Sequence, residues 1–301
     1  MRLIITGSEG QLGRSLCKYI PNIFKTSNEL FYFNKSEFNL LDTKECISKI
    51  NQIKPNWLIN CGAYTDVDKA EIETDKSIFI NGYSIEVISK ALKKNNGNLI
   101  QLSSDYVFDG EQSKPFKINH ERNPINQYGL GKSLGEKFVE EILFPINNSK
   151  IIRTSWLMSS FGNNFASKIF NLHRSSSELK VIYDQVGSFT SAATLAKFIW
   201  EIIFQEEQGI KLPKILHCTN SGVCSWYDIA IAIGEFLERN SLNYKKVKVI
   251  PISTNNYNQT AKRPSYSVLD CSGTSNLLPK KDIYWRDSLQ NIIRELMNKN
   301  F

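Results

Sequence analysis

Tyr128 and Lys132 are the residues whose types and spacing most suggest catalysis. They lie at the start of a predicted helix, on which residues i and i+4 share one face. A free phenol, with a pKa of about 10, exchanges protons poorly near neutrality. A neighbouring ammonium favours the phenolate and lowers that pKa, so the pair suits proton delivery to a carbonyl oxygen. The alternative interpretation is a surface pair without chemistry.

The same Tyr-x-x-x-Lys spacing occurs again at Tyr244 and Lys248, so the pattern alone proves nothing. Tyr244 leads into V-K-V-I-P-I, a strand-like run in which residues four apart are well separated. Context therefore selects Tyr128 and Lys132 as the catalytic candidates.

A third candidate lies at the end of the run N-L-I-Q-L-S-S, which reads as a strand. Its last residue, Ser104, can supply a further hydrogen bond to the oxygen of a substrate. Ser103 is the competing candidate for this role.

Three glycines, Gly7, Gly10 and Gly13, lie between a short apolar strand and an amphipathic helix. The first permits a tight turn, the second lets the backbone approach a pyrophosphate, and the third lets the helix pack closely on the sheet. The N–H groups from about Gln11 and Leu12 then face the phosphates. With the serine, tyrosine and lysine, this dinucleotide site predicts a nicotinamide-dependent reductase of a carbonyl.

The end of the second strand should contact the adenosine ribose. An acidic residue there would favour NAD, because it repels a 2′-phosphate. The chain has Asn34 followed by Lys35, which predicts NADPH with NADH tolerated. Asp42, next to Leu41, reads as a helix cap or as an adenine contact, and the two are compatible.

The third strand ends in N-C-G-A-Y-T. Cys61, Gly62 and Ala63 are small, as a backbone lying against a cofactor requires. We predict that this segment, together with Tyr64 and Thr65, lines the cofactor.

Strand and helix patterns alternate through the first half, which predicts an α/β fold with a Rossmann-type, doubly wound parallel sheet. We expect an NAD(P)-binding domain over residues 1–155 and a smaller α/β substrate-binding domain over 156–301. Some later elements, such as Lys214 to Cys218, are expected to return to the first sheet. The elements expected are strands at Leu3 to Thr6, Leu30 to Asn34, Trp57 to Asn60 and Asn98 to Ser103, and helices at Gln11 to Ile20, Thr43 to Gln52 and Asp75 to Lys94.

Composition narrows the class of protein further. The 301 residues carry a formal net charge of +7, with lysines spread over the whole chain rather than in a nucleic-acid-binding stripe. We find no signal peptide and no span of about 20 apolar residues, so a cytoplasmic protein without membrane contact is expected. The six cysteines form no CxxC pair and the three histidines no ligand spacing, so we expect reduced thiols and no catalytic metal.

At these residues the chain resembles the extended short-chain dehydrogenases/reductases and, more narrowly, the dTDP-4-dehydrorhamnose reductase family. The resemblance covers nearly the whole chain. It runs through these blocks: T-D-V-D-K-A-E, S-S-D-Y-V-F-D-G, P-I-N-Q-Y-G-L-G-K-S-L-G-E, R-T-S-W, D-Q-V-G-S-F-T, S-W-Y-D-I-A and A-K-R-P.

The resemblance implies reduction of the 4-keto group of dTDP-4-dehydro-β-L-rhamnose to dTDP-L-rhamnose. The tyrosine and lysine match the family's catalytic pair, and Ser104 matches its Ser/Thr beside the carbonyl, where threonine is common. Asp105 matches a substrate contact, and Trp156 matches an aromatic residue that covers the sugar. Val67 and Asp68 lie on a loop near the substrate. A homodimer is implied too, and some members hold Mg²⁺ at the dimer interface, although no ligands for that ion can be matched here.

Two rival interpretations stay open at this level. A nucleotide-sugar epimerase or dehydratase would share the fold, but dehydratases generally place an Asp-Glu pair after the strand-end hydroxyl. Here Asp105 and Tyr106 follow Ser104. A non-enzymatic role is the second rival, since the regulatory subunit of some methionine adenosyltransferases has this fold and binds a nicotinamide cofactor.

Overall fold

The computed structural model describes residues 1–26, 28–240, 244–277 and 284–299. Its strands are β1 (Arg2–Thr6), β2 (Glu29–Phe33), β3 (Trp57–Asn60), β4 (Asn98–Ser104), β5 (Lys150–Thr154), β6 (Leu157–Met158), β7 (Glu178–Ile182), β8 (Val186–Gly187), β9 (Thr190–Ser191), β10 (Ile215–His217), β11 (Cys224–Ser225), β12 (Lys248–Ile252) and β13 (Tyr266–Ser267). Its α-helices are α1 (Gln11–Lys18), α2 (Asn22–Thr26), α3 (Thr43–Ile53), α4 (Val67–Ala70), α5 (Thr74–Ile78), α6 (Ser84–Lys94), α7 (Gln127–Ile142), α8 (Phe165–Ser175), α9 (Ala192–Glu207), α10 (Trp226–Asn240) and α11 (Trp285–Lys299).

The main sheet is parallel throughout and has the order β2-β1-β3-β4-β5-β10. The strand order reverses between β1 and β3, and in sheets of this kind ligands bind outside the carboxyl ends of the strands at such a point. The predicted Rossmann-type fold is confirmed. The sheet brings the glycine turn after β1 and the segment after β3 side by side.

Alternation along the strands explains why helices cover both faces of this sheet. Leu3 and Ile5 pack into one buried cluster with α1 and α9, while Ile4 packs into another with α3, α6 and α7. Strands buried on both faces are expected to be continuously apolar, as β1 is.

The helix expected from Asp75 to Lys94 is present but interrupted. A π-helical turn, Phe79–Tyr83, separates α5 from α6. Such turns insert one residue into a helix and often lie at functional sites. Here the turn contains Asn81, whose side chain holds the segment after β3, as described below.

Residues after 155 build a second buried cluster from α8, α10, α11 and β7. The chain then comes back, because β10 pairs with β5, and α9 packs on α1 through a hydrogen bond of 3.1 Å from Trp200 Nε1 to Leu16 O. The domain boundary near residue 155 stays a prediction. Among the described residues, no helix is both long and apolar enough to span a membrane.

Candidate active site

The turn between β1 and α1 can form only because three of its residues are glycines. Gly7 has φ +60°, and a Cβ there would lie 3.0 Å from the carbonyl carbon and oxygen of Cys61. A Cβ on Gly13 would lie 2.3 Å from Gly7 O, and one on Gly10 3.2 Å from the same oxygen. The glycines therefore let helix, turn and strand approach closely, as a pyrophosphate cradle requires.

The amino terminus of α1 forms one side of this cradle. Gln11 and Leu12 are its first residues, and the first turn contains no acidic side chain. The Leu12 side chain is buried, whereas Gln11 Oε1 accepts a 3.0 Å hydrogen bond from Ser159 Oγ. What this end offers to an anion is consequently its free backbone N–H groups, helped by the helix dipole.

The end of β2 forms a tight turn. Asn34 Oδ1 accepts hydrogen bonds from the backbone N and the Oγ of Ser36, at 2.9 and 2.7 Å. Because the oxygen is used within the turn, Asn34 can offer only its amide N–H donors to a ligand. Lys35 beside it is exposed.

Asp42 caps α3, since its Oδ1 accepts a 3.0 Å hydrogen bond from Glu45 N. The predicted cap is confirmed. Leu41 before it is 44% exposed, so it is free to contact a ligand. Contacts of either residue with adenine stay a prediction.

The segment after β3 lies over the switch point of the sheet and is firmly held. Asn81 receives a 3.0 Å hydrogen bond from Tyr64 N and donates one of 2.9 Å to Tyr64 O. Cys61, Gly62 and Ala63 are half-buried here, whereas Thr65 is exposed. The backbone of this segment is thus fixed beside the predicted cradle.

Helix α7 brings the tyrosine and the lysine to the end of β4. Its cap is Asn126, whose side chain accepts from Gly129 N at 2.8 Å. A Cβ on Gly129 would lie 2.1 Å from Tyr106 O, so this glycine lets the helix press against the turn after β4. Lys132 Nζ lies 5.8 Å from the centre of the Tyr128 ring.

Ser104, rather than Ser103, faces this pair. The Ser104 hydroxyl acts on the pKa of Tyr128, while the Ser103 hydroxyl acts on that of the buried Glu136. Successive strand residues point to opposite faces, which explains the difference. Ser104, Tyr128 and Lys132 therefore converge at the carboxyl edge of the sheet.

The expected lowering of the Tyr128 pKa is wrong. Burial raises the pKa of the phenol, and the Asp105 carboxylate raises it further, against a hydrogen bond with Ser104 that lowers it. The Lys132 ammonium is itself desolvated, and this lowers its pKa to about 8. Its Nζ donates to Leu102 O at 3.2 Å. The phenol therefore holds its proton near neutrality, as a proton donor must.

Asp105 follows Ser104 directly and is 2% exposed. Its Oδ1 accepts a 2.8 Å hydrogen bond from Ser104 Oγ. Burial raises the pKa of its carboxyl group to about 6, although the hydroxyls of Ser104 and Ser267 act in the opposite direction. A carboxyl group that titrates near neutrality beside a catalytic set is typical of active sites.

Sequence reasoning gave no role to two residues that support the tyrosine. The Tyr106 ring meets that of Tyr128 edge to face, with centroids 5.4 Å apart. Arg263 acts to lower the pKa of Tyr106 and binds Asp68 through its two terminal nitrogens, at 3.1 and 2.6 Å. Arg263 belongs to the A-K-R-P block, which carried the only signal for it. Val67, half-buried beside Asp68, begins α4, so these two residues lie on a short helix and the expected loop is wrong.

Behind the lysine lies a buried ionic cluster that sequence reasoning also missed. Glu136 is fully buried one turn beyond Lys132 and receives hydrogen bonds of 2.9 and 2.6 Å from Arg153 and one of 2.9 Å from Arg122. These arginines lower the pKa of Glu136, while Glu136 acts to raise that of Lys132. The cluster therefore opposes the loss of the Lys132 charge by burial.

Trp156 is half-buried and has a positive φ of 45°. Its ring stacks on Trp226 with centroids 3.8 Å apart, and Trp226 donates to Gln185 Oε1 at 3.0 Å. A Cβ on Gly187 would lie 2.7 Å from the Trp156 ring. The indole is held in place by packing, and its contact with a sugar stays a prediction.

The six cysteines are all free, and no cluster of His, Cys, Asp and Glu suited to a metal ion occurs in the described part of the chain.

A Rossmann-type sheet with serine, tyrosine and lysine at its carboxyl edge defines an extended short-chain dehydrogenase/reductase. The family described as RmlD substrate binding domain matches residues 1–298. A curated dTDP-4-dehydrorhamnose reductase of Aggregatibacter actinomycetemcomitans is 33% identical over 97% of this chain and 98% of its own length.

Solved structures agree with this match. A dTDP-4-dehydrorhamnose reductase of Clostridium acetobutylicum superposes with a TM-score of 0.88 at 34% identity, covering 99% of this chain and 100% of that one. The Bacillus anthracis enzyme, in complex with NADP, has a TM-score of 0.85 at 32% identity, with 98% and 99% covered. The chain belongs to the dTDP-4-dehydrorhamnose reductase family.

Proposed function

We propose that this protein reduces the 4-keto group of dTDP-4-dehydro-β-L-rhamnose to dTDP-L-rhamnose, using hydride from NAD(P)H. The observation that carries the proposal is the convergence of Ser104, Tyr128 and Lys132 beside the glycine cradle. The relatives above, which bear the name of this reductase, support the choice of substrate.

The cradle fits a dinucleotide. Gly7 and Gly10, with the N–H groups of Gln11 and Leu12, would hold the pyrophosphate. When bound, NAD(P)H supplies a hydride to the carbonyl carbon.

The ends of β2 and β3 would hold the rest of the cofactor. Asn34, Leu41 and Asp42 would face the adenosine, and the segment from Cys61 through Gly62, Ala63 and Tyr64 to Thr65 would line the path toward the nicotinamide. The fixed backbone of that segment supports this role, because a held backbone orients a ligand without further ordering.

Side chains of this protein would supply the proton that the carbonyl oxygen takes up. Tyr128 would donate its proton to the carbonyl oxygen as negative charge develops there, and the raised pKa of the phenol keeps that proton available. Lys132 would hold the nicotinamide ribose and stabilise the phenolate that is left. Ser104 would hydrogen-bond the same carbonyl oxygen.

Three further residues are proposed to contact the sugar: Val67, Asp105 and Trp156. Apolar C–H faces of a sugar ring pack well on an aromatic side chain. Trp226 already occupies one face of the Trp156 ring, so only the other face or the edge of that indole is available to a sugar.

The decisive experiment is an absorbance assay that follows NADPH oxidation with dTDP-4-dehydro-β-L-rhamnose. Turnover with this sugar above that with other 4-keto-6-deoxy nucleotide sugars is expected. Tightly bound NAD with no consumption of added NADPH would instead indicate an epimerase or dehydratase. No turnover with any keto sugar, together with capture of a partner protein, would indicate a regulatory subunit.

We propose a preference for NADPH with NADH tolerated, and Lys35 carries it. An exposed lysine beside Asn34 attracts a 2′-phosphate, and no acidic side chain stands at position 34 or 35 to repel one. Lys35→Ala should lower kcat/KM for NADPH about tenfold, roughly the value of one charge-assisted hydrogen bond, and leave NADH unchanged. Lys25→Ala, an exposed lysine on α2, is the control and should alter neither value.

A homodimer in the cytoplasm, and Mg²⁺ at the dimer interface, are also proposed from the family resemblance. Light scattering after gel filtration tests the dimer. The same measurement in EDTA tests the ion, whose removal should lower the dimer fraction. An unchanged dimer in EDTA would dismiss the metal.

A further inference from the structure

The hydrogen bond between Ser104 and Asp105 limits what Ser104 can do. A hydroxyl has one hydrogen to donate, and an ionised carboxylate only accepts. Ser104 Oγ donates to Asp105 Oδ1 at 2.8 Å, so its hydrogen is already used. While Asp105 is ionised, the serine can only accept, and it accepts from Tyr106 N at 3.2 Å.

This arrangement is unsuited to a carbonyl substrate. A carbonyl oxygen needs donors, yet the serine hydrogen points to Asp105. If Asp105 carried a proton, it would donate to Ser104 Oγ, and the serine hydrogen would become free to rotate toward the substrate.

We propose that Asp105 acts as a proton-dependent positioning residue: only its protonated form lets Ser104 donate to the carbonyl oxygen of the substrate. This proposal rests on the proposed reductase function. In the reaction, hydride passes to the carbonyl carbon and the Tyr128 proton to the carbonyl oxygen. Asp105 keeps its proton, because its part in the proton transfer is to orient Ser104.

The surroundings of Asp105 make its protonated form more accessible than that of an ordinary carboxyl group, so that both forms are populated near pH 6. The carboxyl group is buried, and desolvation raises its pKa to about 6. The titratable groups that face it are Tyr128 from α7 and Tyr106 from its own turn. Burial raises the pKa of both phenols, so they stay uncharged near neutrality. Arg263 acts to lower the pKa of Tyr106, and Ser267 of β13 contributes a neutral hydroxyl.

The test compares wild type and Asp105→Asn in the pH dependence of kcat/KM for the 4-keto sugar. The enzyme is saturated with NADPH throughout. An asparagine amide can donate to Ser104 at every pH. Wild-type kcat/KM should fall about tenfold per pH unit above the pKa of the carboxyl group, as one required proton is lost. Asp105→Asn should not show this decline at high pH. Its kcat/KM should stay within about tenfold of the wild-type value at pH 6.

Further variants make the result specific. In a Ser104→Ala background, Asp105→Asn should no longer alter the pH dependence of kcat/KM, because the proton on Asp105 acts through that serine. Ser267→Ala should move the wild-type decline in kcat/KM to higher pH, since it removes a hydroxyl that acts to lower the pKa of Asp105. NADPH binding, followed by fluorescence, shows that each variant is folded.

Two results would overturn the proposal. One is the same decline of kcat/KM at high pH in Asp105→Asn, and the other is a loss of kcat/KM above 100-fold at pH 6 with NADPH affinity retained. The latter would mean that the carboxylate itself is required. Wild type that is inactive on this sugar would instead remove the proposed function, and this proposal with it.

Discussion

The two Tyr-x-x-x-Lys sequences of this chain share a spacing and nothing else. Tyr128 and Lys132 lie on one face of α7 at the carboxyl edge of the main sheet, next to Ser104. Tyr244 instead contacts Nδ1 of His173 at 2.8 Å, and Lys248 begins β12 as an exposed residue. The Tyr-x-x-x-Lys spacing therefore indicates a catalytic pair only where a helix aligns the two side chains and a sheet edge supplies a third group.

The second pair shows what a structural role looks like. His173 Nε2 lies 2.9 Å from Ala230 O, so it must be the N–H donor, and Nδ1 accepts from the Tyr244 hydroxyl. Burial lowers the pKa of His173, which keeps the ring neutral and preserves this acceptor. The tyrosine here secures α8 against the chain before β12.

The largest expected difference between the pairs is in turnover. Tyr128→Phe should lower kcat by about 10²–10⁴-fold, because the proton donor is lost. NADPH affinity should be retained. Tyr244→Phe, with the same atom removed, should change kcat less than about twofold, since it lies outside the reacting groups. Retained activity in Tyr128→Phe would place the proton donor elsewhere.

Replacing the two lysines sharpens the contrast. Lys132→Met should lower kcat/KM by about 10²-fold or more, as it removes the charge beside the phenol, and it should weaken NADPH binding. Lys248→Met should have no effect on either. Steady-state kinetics and fluorescence titration measure both, and equal losses in the two variants would contradict the assignment.

Burial of Lys132 should also lower the free energy of unfolding, by an amount that depends on pH. Its pKa is about 8 in the folded protein against about 10.4 unfolded, so the unfolded chain binds more protons between these values. Stability from this group therefore rises with pH across that window. Urea unfolding at pH 7 should show that Lys132→Met is more stable than wild type. The difference in free energy of unfolding between the two should decrease by pH 10. A constant gap would mean that the Lys132 pKa is unshifted.

The smallest expected effect belongs to Tyr244. Tyr244→Phe removes its hydrogen bond with His173 and should lower the free energy of unfolding by about 1 kcal/mol. Tyr257→Phe, on an exposed tyrosine, is the control and should leave stability unchanged. Chemical denaturation measures both, and no loss in Tyr244→Phe would mean that solvent replaces the bond.

Local patterns predicted the first half of the fold well. The strand Trp57–Asn60 and the Asp42 cap were readable because apolar runs and capping residues act over short distances. The glycine turn was readable for the same reason. The main element missed is the π-helical turn at Phe79–Tyr83, which no periodic pattern marks.

The site was less predictable where it depends on distant residues. Asp68 and Arg263 are 195 positions apart, and Trp156 and Trp226 meet only through the packing of the later elements. The direction of the Tyr128 pKa was wrong because an ammonium in the same helix turn is visible in the sequence, whereas burial is not. Ser103 and Ser104 were separated only when the strand faces were known.

The return of the chain to its first sheet has a consequence for any attempt to shorten it. A fragment that stopped at residue 155 would lack β10, so β5 would become an outer strand with unpaired backbone groups, open to association with another chain. It would also lack α9, and the apolar surface of α1 would face water. The nucleotide-binding half is therefore expected to be insoluble by itself, although the motif that defines it is complete within its first thirteen residues.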